Sequence, residues 1–183
     1  MDSDLEARLE STRAELERLR LTLAVVGTMD LDVGILNRNG ILDAIDRARK
    51  WQARRGDVFG VLVVQLPDVV DGNSDADGAR EVAENVAAVL AAGLREVDSV
   101  GRCSETTYAG VLSDLQPDSI AVVAMRLDAV FRHLAETDPA FGERYGIGAI
   151  EVRGGDDAPA DLLQRATEMA GEAVGDRPVV GML

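Results

Sequence analysis

The chain has 183 residues, 19 basic and 33 acidic side chains for a net charge of −14, and a hydrophobic fraction of 46%, while aromatic residues make up only 3%. That is the size of one domain plus a short extra element, with a core that must be built from Ala, Val, Leu and Ile. So few aromatics argue against a base-stacking nucleic-acid platform, and the acidic excess repels phosphate backbones and anionic membrane alike, so neither is expected as a partner. The opening MDSDLEARLE is charged, and no run reaches the roughly 18 apolar residues of a membrane span. The single cysteine, Cys103, excludes an internal disulfide and fits a reducing compartment, so a cytoplasmic protein is expected.

In chain order, residues 3–26 place Leu5, Leu9, Leu16, Leu19, Leu23 and Val26 at spacings of four and three, with Thr12 in the remaining slot. This predicts an N-terminal coiled-coil helix over 1–27 whose seam makes a homodimer, the other reading being that it packs on its own domain. Gly27 and TMDLDVG interrupt the heptads and predict a joint near 27–36. The second unit, 28–183, alternates helix and strand. Ile41, Leu42, Ile45, Ala48 and Trp51 mark the apolar side of a helix ending at Gly56, and Val61–Val64, with Phe59 before and Leu66 after, reads as a buried strand.

Residues 67–78 read as an acidic loop, followed by a helix to about Arg95 and a hairpin of strands Ser99–Cys103 and Tyr108–Leu112. Pro117 and Asp118 start a helix with the stripe Ile120, Val123, Leu127, Phe131 and Leu134. Tyr145–Val152 reads as a strand, Pro159–Val174 as a helix and Val179–Leu183 as a short last strand. The order predicts an α/β (α+β) domain, a mixed central sheet covered by helices.

DLDVGILNRNGILDAIDRA (30–48) resembles the D-x-L-T-G-L-x-N-R opening of the GGDEF family, the diguanylate cyclases that join two GTP molecules into cyclic di-GMP. It matches at Asp30, Gly34, Asn37 and Arg38, with Ile35 a close swap and Asp32 and Val33 departing. The strand at 59–66 is similar to the family's first core strand, GIGAIEV (146–152) to its S-I-G-V-A strand, and DLLQRATEMAGEA (161–173) to its last helix. The resemblance covers about residues 30–183 and implies the nucleotidyl-cyclase-like fold.

The signature itself is degenerate: in register it falls on Ser104, Glu105, Thr106, Thr107 and Tyr108, of which only Tyr108 for Phe is a close swap. The resemblance places the family's metal-binding Asp at Gln65 and its signature carboxylate at Thr106 or Thr107. Two-metal phosphoryl transfer needs anionic oxygens on Mg²⁺, which these side chains do not supply. Ser104 and Glu105 stand where glycines would let amides approach phosphates. Of the guanine-contacting pair, Asn73 matches and Ala79 does not, and the phosphate-contacting lysine falls on Val174. The chain is therefore expected to be no enzyme, with no catalytic residue, no metal and no cofactor.

One further site of the family does match. Its product-inhibition site is an R-x-x-D five residues ahead of the signature, and Arg95-Glu96-Val97-Asp98 stands at that spacing before Ser104. A guanidinium fork can donate to guanine O6 and N7, and an aspartate can accept from the guanine N1–H and amino group. Arg126 falls where the family often has a second arginine. The competing reading is that Arg95 and Asp98 end a helix and pair with each other at i,i+3.

Other features carry less. Residues 73–84 fit a calcium-loop spacing, but position 1 is Asn73 and the preceding element reads as a strand, so an acidic loop capping the next helix is expected instead. His133, the one histidine, reads as a surface residue, Cys103 as a small buried residue in a strand, Gly154–Asp157 as a turn, and Met169 and Met182 as core filling. The expectation is an inactive GGDEF-like receptor of cyclic di-GMP through Arg95, Asp98 and Arg126, homodimeric and signalling to an unidentified protein partner. The alternative is a ligand-independent dimeric interaction scaffold, and a third reading is an active or GTP-binding enzyme.

Overall fold

The computed structural model describes residues 27–66, 76–137, 145–175 and 177–183, together with Thr12, Arg13, Glu15, Arg18, Leu19 and Thr22. Thr12 and Leu19 of the N-terminal seam are helical; Leu5, Leu9, Leu16, Leu23 and Val26 lie outside the described residues, as do Asn73 and most of the acidic loop.

The elements run β1 (Met29–Asp30), β2 (Ile35–Asn37), α1 (Arg38–Arg55), β3 (Val58–Gln65), α2 (Ala76–Gly93), β4 (Ser99–Arg102), β5 (Thr107–Leu115), α3 (Ile120–Thr137), β6 (Gly146–Val152), α4 (Pro159–Glu172) and β7 (Val179–Met182). The strands form one sheet in the order β1-β2-β4-β5-β3-β6-β7. Pairs β2–β4 and β6–β7 are parallel and the rest antiparallel, so the predicted mixed sheet covered by helices is what forms.

β3 lies inside the sheet between β5 and β6 and is buried on both faces, which is why it reads as an unbroken apolar run rather than an alternating one. Leu62 and Val64 face a core shared with Leu90 of α2 and Leu127 and Phe131 of α3. Val61 and Val63 face the opposite core, with Ile41 and Ile45 of α1 and Leu162 and Ala166 of α4. The period of two along the strand therefore assigns the helices to faces.

Local chemistry fixes the ends. The Asn37 side chain accepts the Gly40 N–H at 3.1 Å and so caps α1, and Gly56, at φ 76°, closes it in the left-handed conformation while donating to Gln52 O. In β6, a Cβ on Gly148 would lie 2.2 Å from the Ala166 carbonyl oxygen. Glycine there is what lets α4 lie close on the sheet.

Several expectations are corrected. The joint at 27–36 is a short antiparallel hairpin, β1–β2, docked on β4. Trp51, expected on the buried side of α1, is 50% exposed. α3 starts at Ile120, because Asp118 adopts φ 65° ahead of it. Met182 is exposed at the sheet edge, and Cys103 is half-buried in the turn beyond β4. No helix among the described residues is long and apolar enough to cross a membrane.

Candidate functional site

The turn of the β4–β5 hairpin carries Ser104, Glu105 and Thr106, the residues on which the resemblance sets the start of the signature. The Cys103 and Ser104 amides both donate to Thr107 O, at 2.7 and 3.2 Å, and Leu66 N–H donates to Thr106 O at 2.8 Å, which ties the turn to the end of β3. Gln65 pairs with Thr107 across the sheet. Its side-chain amide donates to Thr106 Oγ1 at 3.1 Å and to Leu66 O at 3.2 Å, while its Oε1 accepts the Thr107 hydroxyl at 2.8 Å. Ser104 Oγ donates to Thr107 Oγ1 at 2.9 Å and accepts Thr106 N–H at 3.3 Å.

The positions expected to replace the metal carboxylates thus satisfy one another as a neutral, interlocked network. Such a donor set does not fit Mg²⁺, which takes anionic and strongly polar oxygens around an open site. The residues expected to lack the substrate contacts lie apart: exposed Ala79 sits in the first turn of α2, and half-buried Val174 follows α4.

Arg95, Asp98 and Arg126 come together at the other end of the hairpin. They line one cavity of about 610 Å³ between the C-terminal end of α2 and the outer face of α3, with Val89, Leu112 and Val123 among its apolar walls. The Arg95 guanidinium is exposed and meets no acidic partner among the described residues. Asp98 is not its ion-pair partner. Instead Oδ2 accepts the backbone N–H of Arg95 at 2.9 Å and Oδ1 that of Ser113 at 3.1 Å. Arg126 donates to the Gly93 carbonyl, one of the orphan acceptors at the end of α2. Two of the three residues therefore have backbone work of their own, and Arg95 is left pointing a free fork at solvent.

Some of the polar chemistry was not singled out in the sequence. Arg102, largely buried, sits 3.7 Å from Asp30 and 5.9 Å from the Tyr108 ring centroid, joining the β1 end to the hairpin. In the sequence, Asp30 stands out only through its place in the opening segment. Buried Asp128 accepts the Tyr145 hydroxyl at 2.8 Å and pairs with Arg132 at 2.7 Å, and fully buried Glu151 pairs with Arg153. Alternation along β6 offered no warning of the last, since Glu151 is an acid inside an apolar strand. Among the described residues no cluster of three or more His, Cys, Asp or Glu is arranged to hold a metal ion.

No protein-family model and no curated protein matches the sequence. Solved structures do. The coiled coil and GGDEF domain of DgcB from Caulobacter crescentus, in complex with c-di-GMP, is similar with a TM-score of 0.72 at 20% identity, over 96% of this chain and 98% of that one. The diguanylate cyclase SiaD from Pseudomonas aeruginosa, in complex with its activator SiaC, gives 0.71 at 21% identity over 97% of this chain and 71% of that one. The S helix-GGDEF-EAL portion of LapD from Vibrio cholerae, bound to c-di-GMP, gives 0.67 at 13% identity over 94% of this chain and 40% of that one. The chain has the GGDEF-domain fold.

Proposed function

We propose that this GGDEF-fold chain is a catalytically inactive signalling domain that holds cyclic di-GMP through Arg95, Asp98 and Arg126 and passes its occupancy to a protein partner. The observation that carries the reading is the free Arg95 fork at the mouth of a cavity that Asp98 and Arg126 also line. The fork can take guanine O6 and N7, the carboxylate of Asp98 has lone pairs left for the guanine N1–H and amino group, and Arg126 offsets phosphate charge. Two of the structural neighbours are complexes with c-di-GMP, which supports the same ligand. Inactivity is supported by the neutral Gln65, Thr106, Thr107 and Ser104 network at the end of β3.

Calorimetric titration tests the receptor reading. Cyclic di-GMP should bind with a Kd of about 1–10 μM and lose at least tenfold in affinity in Arg95→Ala. Silence at about 100 μM ligand overturns it. One observation favours the alternative of a ligand-independent scaffold: Asp98 and Arg126 are already engaged by backbone groups. Silence in the titration together with an intact dimer selects that alternative. Dimerisation through the N-terminal helix belongs to both readings, and deletion of residues 1–26 should then halve the mass in sedimentation.

A further inference from the structure

Helix α1 is a basic element in an acidic protein. It holds Arg38, Arg47, Arg49, Lys50, Arg54 and Arg55, six of the chain's 19 basic residues, against two acids, Asp43 and Asp46. Asp46 engages Arg49 at 3.2 Å and also Lys50. Exposed Arg47, Arg54 and Arg55 meet no carboxylate at ion-pair distance among the described residues.

Arg47 precedes Trp51 by four positions, and Arg54 and Arg55 follow it by three and four, so the four side chains share one helix face. Trp51 is the only tryptophan of the chain and is half exposed, with the Arg55 guanidinium 6.0 Å from its ring centroid. Beside the ring lies a cavity of about 300 Å³ whose lining includes Phe59, Val97 and Ser113, with Asp57 and Asp114 as its acids. Val97 is 70% exposed. Arg54 and Arg55 also complement the C-terminal dipole of α1, but that accounts for neither Arg47 nor an indole left in water.

We propose that this face of α1 is a docking surface for an acidic segment of a partner protein, which places an apolar side chain in the cavity beside Trp51. Unpaired arginines supply charge complementarity, and Trp and Arg are both among the residues enriched at the energetic centres of interfaces. An extended polyanion would meet the field of the whole protein, which is strongly negative. A short segment senses mainly the charges within a Debye length, about 8 Å at physiological salt. The cavity also asks for an apolar side chain, which a protein segment carries and a phosphate backbone does not. The cavity beside Trp51 shares no lining residue with the Arg95 cavity and is tested without nucleotide, although the two adjoin: Val97 belongs to the turn that holds Arg95 and Asp98, and Asp98 accepts the Ser113 N–H.

Because Trp51 is the sole tryptophan, intrinsic fluorescence of the full chain reads this site directly. Titration with a short synthetic peptide of alternating Glu and Leu should give a saturable blue shift. Affinity should fall at least tenfold between about 50 mM and about 500 mM salt and by a similar factor in R47E/R54E, both positions being exposed enough to leave the fold intact. No shift at about 1 mM peptide overturns the proposal. So does an equal shift with a Lys–Leu peptide, or one produced only by duplex DNA or by phosphatidylglycerol vesicles.

Discussion

The carboxylate of Asp98 accepts the backbone N–H of Arg95 at 2.9 Å, so the R-x-x-D pair is bonded through main chain and not through its two charges. A second amide, that of Ser113, reaches the other carboxylate oxygen, and the turn after α2 is thereby fastened to β5. Asp98→Ala should cost about 1 to 2 kcal/mol of stability, as loss of a capping carboxylate does. Arg95→Ala, with an exposed side chain and no ion pair, should stay within about 0.5 kcal/mol. Urea denaturation of the two variants separates them, and it makes Arg95→Ala the clean variant for the ligand titration. Equal losses would mean that the Arg95 side chain is part of the turn.

Gln65, at the position where the resemblance implies the loss of a metal-binding aspartate, is a two-way hydrogen bonder, giving its amide to Thr106 and taking the Thr107 hydroxyl. Gln65→Asp introduces a carboxylate but removes the donor and shortens the side chain. It should destabilise by about 1 to 3 kcal/mol, because Thr106 and the Leu66 carbonyl each lose their donor. The wild-type melting temperature should not move on adding about 10 mM Mg²⁺, since a ligand that finds no site contributes no binding energy. Incubation with GTP and Mg²⁺ should yield no cyclic di-GMP from either form, and product detected by chromatography would refute the inactive reading.

The fold was readable where one physical signal dominated. β3 and β6 are apolar runs because they are buried on both faces, and Gly56 marks the end of α1 because only its backbone takes φ 76° without strain. β1 and β2 were missed because two- and three-residue strands have no periodicity of their own and exist through pairing with β4. Trp51 broke the pattern because its face of α1 meets no neighbouring element that buries it. Arg95, Asp98 and Arg126 were named by resemblance, and their meeting at one cavity follows from α3 crossing the end of α2. The backbone role of Asp98 could not be read, since the Ser113 contact depends on where β5 lies.

Arg153 is the counter-ion of a carboxylate that water does not reach. Its Nε donates to Glu151 Oε1 at 2.8 Å, and the same oxygen accepts the Asp118 N–H at 3.0 Å, while Glu151 is fully buried. Arg153→Met should therefore lower the urea midpoint clearly, because it leaves the buried Glu151 charge without its partner. Asp118→Asn removes only the exposed member of the triad, keeps the backbone donor and should cost less than about 1 kcal/mol. Urea midpoints give both values. If Arg153→Met were as mild as Asp118→Asn, Arg153 would not be the group that holds the Glu151 carboxylate in the fold.

Alkaline pH should weaken the fold through three groups whose neutral forms the native state favours. Burial pushes the Cys103 thiol up to about 11, with Arg38 opposing it in part. Burial likewise raises Tyr108, against the pull of Arg102, and raises Tyr145, where the hydrogen bond to Asp128 adds to the effect. In each case the unfolded chain releases its proton at a lower pH than the folded one. The native state therefore binds more protons in between, and stability falls as pH rises. The contribution of the thiol is complete below its ordinary value of about 8.5 and is lost as pH climbs towards 11. The tyrosines follow above about 10. Urea midpoints should thus hold from about pH 7 to about pH 8.5 and then decline, with Cys103→Ala flattening the first part of the decline and Tyr145→Phe the later part. Alkylation supplies an independent reading of the same thiol. Iodoacetamide should label Cys103 slowly at about pH 8 and progressively faster up to pH 11, because the thiolate is the nucleophile. Labelling at about pH 8 as fast in the folded protein as in urea would show that burial does not protect it.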